Sequence, residues 1–435
     1  MATTRLTRTP SSAGNRKKFN FSFWIKGNDF VSDYIMFSAS GSSESAILFD
    51  ASSKLEYYEY NGSSKTTQIT TNRVFRDCSA WYHINISIDT TQSTASNRVK
   101  FYVNGVQETS LANSTYGAED FDSLLNNTTA QYIGGNAGGG HFDGSMSYIN
   151  FNDGYVYPAS TFGSTDSTTG EWEINTSPSM TMGTNGFTIL KNGNTITDQS
   201  TNSNNWTLAA GTLTKTEDCP SNVFATMNPL IRSSNGTFAS GNNKFTTSGG
   251  AWGSGFTTLG MFNGQGKYYM EFKGASGTKI GYGISDFKPS GVIQRTEAGE
   301  TRYCGEYANS YAYHYGGNFY YSGSSTSTGY DSFTSSNVIG MAVDMDNLKI
   351  YFHKDGVYQD SKNPASNNGY TIVAPEGVYL PTITVEDAGA AANFGNGVFD
   401  TTAVSSAGTA ASTPGIFEYD VPTGYQPMTT KGLNA

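Results

Sequence analysis

The chain has 435 residues, of which only 14% are charged, against roughly 25% in an ordinary soluble domain, while 14% are aromatic and 50 are glycine. Lys and Arg number 26 and Asp and Glu 36, so the net charge is −10. The acidic balance disfavours nucleic-acid binding, because phosphate contacts require clustered Lys and Arg. The aromatic content argues against disorder, and no apolar run approaches the roughly 18 residues of a membrane span. A β-rich chain of two or three domains remains.

The three cysteines, Cys78, Cys219 and Cys304, are odd in number and far apart, and the four histidines are isolated. This pattern predicts neither a disulfide framework nor a zinc site. It favours synthesis in a reducing cytoplasm.

The first 18 residues are basic and contain no acid. Their cations are Arg5, Arg8, Arg16, Lys17 and Lys18. One interpretation is an arm that docks on an acidic partner, and the other is a solvated first strand with its turn.

Apolar and polar residues alternate with period two through the first 160 residues, most clearly in segments 19–24, 84–89, 99–103 and 142–151. This alternation is typical of half-buried strands. Asn104-Gly105 predicts a tight turn between two of them, and the glycine-rich segment 134–140 is interpreted as a turn because neither a helix nor a lysine follows it. Short strands at close spacing indicate a β-sandwich.

This region resembles the laminin-G-like, concanavalin-A-like lectin domain from about residue 5 to 160. The segments that carry the resemblance are Phe21-Ser-Phe-Trp-Ile-Lys26, Trp81-Tyr-His-Ile-Asn-Ile-Ser-Ile88, Val99-Lys-Phe-Tyr-Val-Asn-Gly-Val106, Tyr132-Ile-Gly-Gly135 and Phe142-Asp-Gly-Ser-Met-Ser-Tyr-Ile149. Such domains usually have a strand before the one at 6–9. Here that edge is either supplied by a neighbouring subunit or absent.

By the same resemblance, Asp143 and Asp153 are candidate rim ligands for calcium, which two acids and backbone carbonyls could hold. The alternative is that both serve turns, since each is followed by glycine. No other cofactor is expected.

Residues 161–234 are polar and turn-rich, and we interpret them as a β-rich connector. Their last part resembles a connector found in virion fibre and tail proteins of bacteriophages, which carries a Pro-x-Asn-x-Phe-x-Thr-x-Asn-Pro signature. The matching residues are Pro220, Asn222, Phe224, Thr226, Asn228 and Pro229.

Residues 235–428 resemble the SPRY domain, another two-sheet sandwich, and 429–435 remain as a C-terminal tail. The matching features are the strand Lys267-Tyr-Tyr-Met-Glu-Phe272, the hairpin from Ile339-Gly340 through Asp344 and Asp346, its return strand Leu348-Lys-Ile-Tyr-Phe352, the Asp355-Gly356 turn, and the late strands at 379–383 and 391–395. The predicted fold class is therefore all-β, with two antiparallel, jelly-roll-like sandwiches (1–160 and 235–428) joined by the connector.

An aromatic segment at 306–321 is the candidate ligand-binding surface, because aromatic faces stack on sugars while His and Asn exchange hydrogen bonds. Its candidate residues are Tyr307, Tyr311, Tyr313, His314, Tyr320 and Tyr321. The alternative is packing, since Tyr311, Tyr313 and Tyr315 alternate as one strand face would.

No catalytic pattern accompanies these features. Retaining glycoside hydrolysis needs two carboxyls about 5–5.5 Å apart, and the chain has no Glu-x-Asp-x-Glu-type triplet. The four scattered histidines give no serine nucleophile a partner. We therefore expect a protein that is not an enzyme.

The resemblances together imply a virion structural protein of a tailed bacteriophage, made in the bacterial cytoplasm. It would be a fibre or spike that displays lectin-like sandwiches to a host-surface glycan, bound to other tail or capsid proteins as a homotrimer. A capsid decoration or head-fibre protein is the alternative. A polysaccharide-degrading enzyme and a cytosolic SPRY-type peptide adaptor are weaker alternatives.

Overall fold

The computed structural model describes residues 3–191, 193–277, 279–287, 303–326, 329–408 and 415–430. The chain divides into two compact units between Lys215 and Thr216. Both are built from antiparallel strands with a few single-turn 3-10 helices, which confirms the predicted all-β class. No described helix has the length and apolar character needed to cross a bilayer.

The first unit contains sixteen strands within its described residues. They are β1 (Arg5–Arg8), β2 (Lys18–Gly27), β3 (Tyr34–Ser40), β4 (Glu44–Phe49), β5 (Lys54–Tyr60), β6 (Lys65–Val74), β7 (Tyr82–Asp89), β8 (Val99–Val103), β9 (Val106–Gln107), β10 (Leu111–Thr115), β11 (Gln131–Ile133), β12 (Gly144–Asp153), β13 (Gly163–Thr165), β14 (Trp172–Ile174), β15 (Phe187–Ile189) and β16 (Thr207–Ala210). Single 3-10 turns occur at Ala95–Asn97 and Ala159–Thr161.

Two facing sheets form the sandwich of this unit. The larger has the order β10-β6-β5-β4-β3-β11-β1-β16, and the smaller β15-β12-β2-β7-β8-β9. Alternation directs Phe19, Phe21 and Phe23 of β2 into the space between the sheets, where they are fully buried. The ring centroid of Phe21 lies 4.5 Å from that of Phe37 on the opposite sheet. This aromatic core explains the composition, because large rings fill the space between two sheets.

The outer face of the six-stranded sheet is covered by residues that follow β12. Trp172 donates from Nε1 to Nδ1 of His83 at 3.2 Å and stacks on its ring. Nε2 of His83 therefore carries the proton and donates to Oγ of Ser22 at 2.9 Å. Burial lowers the pKa of His83 to about 3, so the ring is neutral at physiological pH.

The predicted connector 161–234 is not a separate element in the structure. β15 pairs with β12, β16 pairs with β1, and Trp206 is only 3% exposed in the core of the first unit. Its indole packs edge-on against Phe187 and Phe37, with centroids 5.0 and 6.3 Å away. The edge expected to be missing beside β1 is supplied by this chain's own β16.

The second unit contains the remaining strands of the described chain. They are β17 (Met227–Arg232), β18 (Gly236–Ala239), β19 (Lys244–Thr247), β20 (Trp252–Thr257), β21 (Lys267–Ser276), β22 (Lys279–Phe287), β23 (Ser310–His314), β24 (Asn318–Tyr321), β25 (Ser324–Thr326), β26 (Val338–Asp344), β27 (Lys349–Lys354), β28 (Val357–Tyr358), β29 (Tyr370–Thr371), β30 (Val378–Glu386), β31 (Gly389–Asn393), β32 (Val398–Phe399) and β33 (Thr402–Ala403). Single 3-10 turns occur at Gln359–Ser361 and Pro364–Ser366.

Most of these strands form a second sandwich. One sheet has the order β17-β20-β30-β22-β23-β24-β25, and the other, which has eight strands, has the order β18-β19-β31-β21-β26-β27-β28 with β29 paired to β27. The predicted hairpin is present as β26 and β27, with Asp344 paired to Lys349. Asp344 accepts hydrogen bonds from the backbone N–H groups of Asp346 and Asn347, as expected of an aspartate at a turn. The last part of the predicted connector belongs to this unit, since β17 pairs with β20.

The C-terminal segment covers the outer face of the eight-stranded sheet of this second sandwich. Phe417 packs edge-on against Tyr269 of β21, with centroids 5.0 Å apart. The buried carboxylate of Glu271 accepts hydrogen bonds from the backbone N–H groups of Glu418 and Tyr419, each at 2.8 Å. One buried acid therefore fixes two consecutive residues of the covering segment.

The predicted tail 429–435 is only partly within the described residues. Thr429 is fully buried and forms a bridge with Phe224 of the signature segment. Residues 431–435 lie outside the described part of the chain.

Replacing Trp206 with Ala should lower the free energy of unfolding of the first unit by about 3–5 kcal/mol, the usual cost of deleting a buried large aromatic. Chemical denaturation followed by circular dichroism measures this change. The exposed Tyr155 gives the control Tyr155→Ala, which should change stability by less than about 0.5 kcal/mol. If both replacements changed the free energy of unfolding by the same small amount, residues 161–215 would be a loosely attached linker.

The buried Glu271 predicts a pH-dependent stability of the second unit. Burial raises its pKa to about 7, although the N–H groups of Glu418 and Tyr419 and the hydroxyl of Tyr269 oppose this shift. A carboxyl whose pKa is raised on folding stabilises the fold fully below its unfolded pKa of about 4.3. That contribution falls as the pH rises through the folded value.

The free energy of unfolding of the wild type should therefore decrease between about pH 4.3 and 7 relative to that of Glu271→Gln, which cannot ionise. Denaturant titrations of both proteins across this range measure the difference. Parallel curves would contradict the assignment of this dependence to Glu271.

Candidate functional site

A groove lies on the outer face of the eight-stranded sheet of the first unit. Its cavity volume is about 600 Å³. The floor is apolar, because Ile35 and Leu48 line it and form, with Ala46, a small buried cluster outside the main core, against which Tyr58 packs. Strand register brings them together, since Ile35 lies opposite Leu48 and Ala46 opposite Tyr58.

The glycine-rich loop 134–140 forms one wall of the groove. The N–H of Ile35 donates to the carbonyl of Gly140 at 2.8 Å, and the side chain of Asn136 donates to Glu44 at 2.8 Å while accepting from Gly138 and Gly139. Gly140 has φ of +59°, and a Cβ there would lie 2.6 Å from Cδ1 of Ile35. Glycine is therefore required where the loop meets the floor. The segment that the sequence analysis interprets as a turn forms this wall of the groove.

One ion pair crosses the groove. The ammonium of Lys65 lies 2.5 Å from Oε1 of Glu56 and 4.3 Å from the centroid of the Tyr58 ring. The second oxygen of Glu56 accepts from Gln68 at 3.0 Å and from Thr70 at 2.8 Å. The carboxylate of Glu56 is thus buried with all its charge compensated by fixed partners.

The hydroxyl of Tyr58 donates to Glu44 at 2.7 Å. Burial, reinforced by this hydrogen bond, raises the pKa of Tyr58 well above its ordinary value of 10. The ring is a neutral phenol at physiological pH, fixed at its hydroxyl end.

Two further acids, Asp33 and Asp50, line the rim. Oδ1 of Asp33 accepts from the N–H of Ala51 at 2.9 Å, and Oδ1 of Asp50 accepts from the N–H groups of Ser52 and Lys54, each also at 2.9 Å. Among the described residues, no donor contacts Oδ2 of either acid. An apolar floor, an aromatic ring and a few fixed polar groups are the usual composition of a small-molecule site.

The structure does not bring the predicted ligand-binding residues to one surface. Tyr307, Tyr311, Tyr313 and His314 are buried, and the rings of Tyr311 and Tyr313 face the core of the second unit. Tyr311 and Tyr313 alternate inward, as in the packing alternative. Nε2 of His314 donates to the carbonyl of Cys304 at 2.9 Å, and burial lowers the pKa of His314 to about 4.

Tyr320 and Tyr321 are the two candidates with substantial exposure. They are consecutive on β24 and therefore point to opposite faces of the sheet. Tyr320 packs beside His314, with centroids 4.6 Å apart, whereas Tyr321, 39% exposed, stacks on Phe319. They cannot act together on one ligand.

The two predicted calcium ligands lie at opposite ends of β12, roughly 30 Å apart along an extended strand. Asp143 accepts from the side chain of Asn28. Asp153 is buried and accepts from the N–H groups of Asn15 and Asn185. They cannot share one ion, and the residues that the structure describes contain no group of three His, Cys, Asp or Glu side chains able to hold a metal.

The predicted basic arm packs on its own unit. β1 lies between β11 and β16, and its Arg5 donates to the carbonyl of Asn136 at 2.8 Å. The other contacts are Arg8 to Asn204, Arg16 to the carbonyl of Ser123, Lys17 to Asp120 and Lys18 to Asp89. These cations hold loops of the sandwich in place. The arrangement agrees better with a first strand and its turn than with an arm that projects from the protein.

The groove was not predicted from the sequence, although one signal was present. Apolar residues occupy consecutive positions in Ala46-Ile-Leu-Phe49, and two aromatic residues are consecutive at Tyr57-Tyr58. A strand that is apolar on both faces needs cover on both faces. Which outward residues meet depends on register, which alternation alone does not give.

Comparisons with known proteins agree with the first part of this fold. Residues 3–158, which include every lining residue of the groove, match the family described as the concanavalin A-like lectin/glucanases superfamily. No curated protein matches the chain.

Solved structures similar to the chain include two SPRY domains and a pair of laminin domains. A human SPRY domain is 15% identical, covering 37% of this chain and 96% of its own, with a TM-score of 0.28. The SPRY domain of human HERC1 is 15% identical over 38% of this chain and 96% of its own, with a TM-score of 0.30. Domains LG4-5 of the mouse laminin alpha1 chain are 10% identical over 89% of this chain and 84% of their own, with a TM-score of 0.28.

Proposed function

We propose that the protein is a glycan-binding adhesion protein and that the groove of the first unit holds a sugar. The observation that carries this proposal is the combination of an apolar floor, the fixed ring of Tyr58 and rim carboxylates in one cavity of about 600 Å³. Sugar rings present C–H groups to apolar surface and hydroxyl groups to acids and amides. The match of residues 3–158 to a superfamily named for lectins and glucanases supports the same ligand class.

The proposed activity is binding without hydrolysis. Glycoside hydrolysis needs one carboxyl as an acid and another as a base or nucleophile. In the proposed role, Glu56 is held by Lys65, Gln68 and Thr70, and Asp33 and Asp50 accept hydrogen bonds from the ligand without transferring protons. Release of reducing sugar from a bound polysaccharide would instead favour the alternative, a polysaccharide-degrading enzyme.

We further propose that this adhesion protein is a virion component of a tailed bacteriophage, a trimeric fibre or spike, with a capsid decoration protein as the alternative. The support is the resemblance of the segment at 220–229 to phage fibre connectors and the polar, weakly charged composition. A trimer would strengthen weak contacts through multivalency. Immunogold labelling of purified particles would locate the protein on tail or capsid, and unlabelled particles would refute this role.

Replacing Tyr58 with Ala should weaken glycan binding by about tenfold, equivalent to ~1.4 kcal/mol, because the variant loses the ring from the groove. A screen of the wild type on a glycan array identifies the ligand, and calorimetry with that ligand measures the loss.

The matched control is Tyr155→Ala, which removes an exposed tyrosine outside the groove. Circular dichroism verifies that both variants are folded. Equal affinity of the Tyr58 variant and the wild type would refute the groove as the glycan site.

A further inference from the structure

The charges that line the groove identify the kind of sugar that it would accept. Three carboxylates, Asp33, Asp50 and Glu56, and one cation, Lys65, line the cavity. The cation is paired with Glu56 at 2.5 Å, so Asp33 and Asp50 leave the rim with two negative charges. Such a rim repels acidic sugars and attracts a ligand that carries a positive charge.

The groove already contains one ammonium group, that of the Lys65 side chain. Lys65 places its Nζ atom 4.3 Å from the centroid of the Tyr58 ring and beside the carboxylate of Glu56. Aromatic faces and carboxylates both bind ammonium groups in proteins. The geometry around Lys65 is therefore an intramolecular example of amine recognition at this site.

The rim acids can provide the same recognition for a ligand. Oδ1 of each acid accepts from loop N–H groups, at 2.9 Å in every case, which fixes the orientation of the carboxylate. Because no described donor contacts either Oδ2 atom, those oxygens can accept from a ligand without breaking an existing hydrogen bond. A preorganised acceptor costs little ordering entropy on binding.

We infer that the groove is specific for amino sugars with a free, protonated amine, and that Asp33 and Asp50 are its specificity-determining residues. This inference rests on the proposed glycan-binding function. The apolar floor at Ile35 and Leu48 contacts the sugar ring, and the rim carboxylates accept from the ammonium. The N-acetylated form of the same sugar carries no positive charge on its nitrogen, so we expect the groove to bind it less tightly than the free amine.

The test compares two oligosaccharides that differ only in acetylation. Glucosamine and N-acetylglucosamine tetramers are titrated into the full chain by calorimetry at about pH 6, where aspartates are ionised and amines protonated. The wild type should bind the glucosamine tetramer at least about tenfold more tightly. The preference should shrink as salt is raised, because exposed charges are screened.

The double variant Asp33→Asn with Asp50→Asn keeps both Oδ1 acceptors and should lose the preference. The matched control is Asp166→Asn. Asp166 also accepts from two N–H groups of its own turn and lies outside the groove, so its replacement removes one negative charge away from the groove and should leave the preference intact.

Each alternative outcome has a defined meaning. If the wild type binds both tetramers equally and Tyr58→Ala weakens both, the proposed function stands and the amine specificity is refuted. If the wild type binds neither tetramer but binds another glycan of the array, the amine specificity alone is refuted, and if it binds no glycan at all, both are refuted. If a tetralysine peptide binds more tightly than either sugar and the double variant loses it, the groove recognises cationic peptide and the amino-sugar assignment is overturned.

Discussion

Each sheet of a β-sandwich has two faces, and the partner sheet covers only one of them. The outer faces of the sheets therefore need other segments of the chain to cover them, and these segments make up much of the remaining structure of each unit. In the first unit, the chain that follows β12 covers the six-stranded sheet through Trp172 and His83. In the second unit, the C-terminal segment covers the eight-stranded sheet through Phe417 and Glu271. The outer face of the first unit's eight-stranded sheet is covered in part by the glycine-rich loop, and the groove lies beside that loop.

The covered faces are polar as well as apolar, so burying them requires matched hydrogen-bond partners. His83 meets this requirement as a neutral ring that accepts from Trp172 and donates to Ser22. Glu271 meets it as an acceptor for the backbone of the covering segment. An apolar side chain in place of Glu271 would leave two backbone N–H groups unpaired, and one in place of His83 would leave the indole N–H of Trp172 unpaired. These two residues therefore favour the segments that cover the sheets in this structure. These buried polar groups hold the covering segments in place, and the proposed ligand site is the exposed groove.

The fold class and the strands could be predicted from the sequence, because period-two alternation with aromatic residues depends on local pattern alone. The hairpin of β26 and β27 is one such success. The attachment of 161–215 could not be predicted, since the pairing of β16 with β1 joins residues about 200 positions apart. The ligand-binding prediction at 307–321 rested on aromatic content, with packing on one strand face as its alternative, and alternation alone did not decide between the two. Tyr311 and Tyr313 point inward, while the outward Ile35, Leu48 and Tyr58 meet only through the register of three strands.

We propose above all that the groove beside the glycine-rich loop holds the ligand. A crystal structure of the full chain soaked with the glucosamine tetramer tests it most directly. We expect sugar density over Ile35 and Leu48, with an amine nitrogen within about 3 Å of the carboxylate of Asp33 or Asp50. Sugar density confined to another surface, such as that around Tyr321 of the second unit, with an empty groove would contradict it.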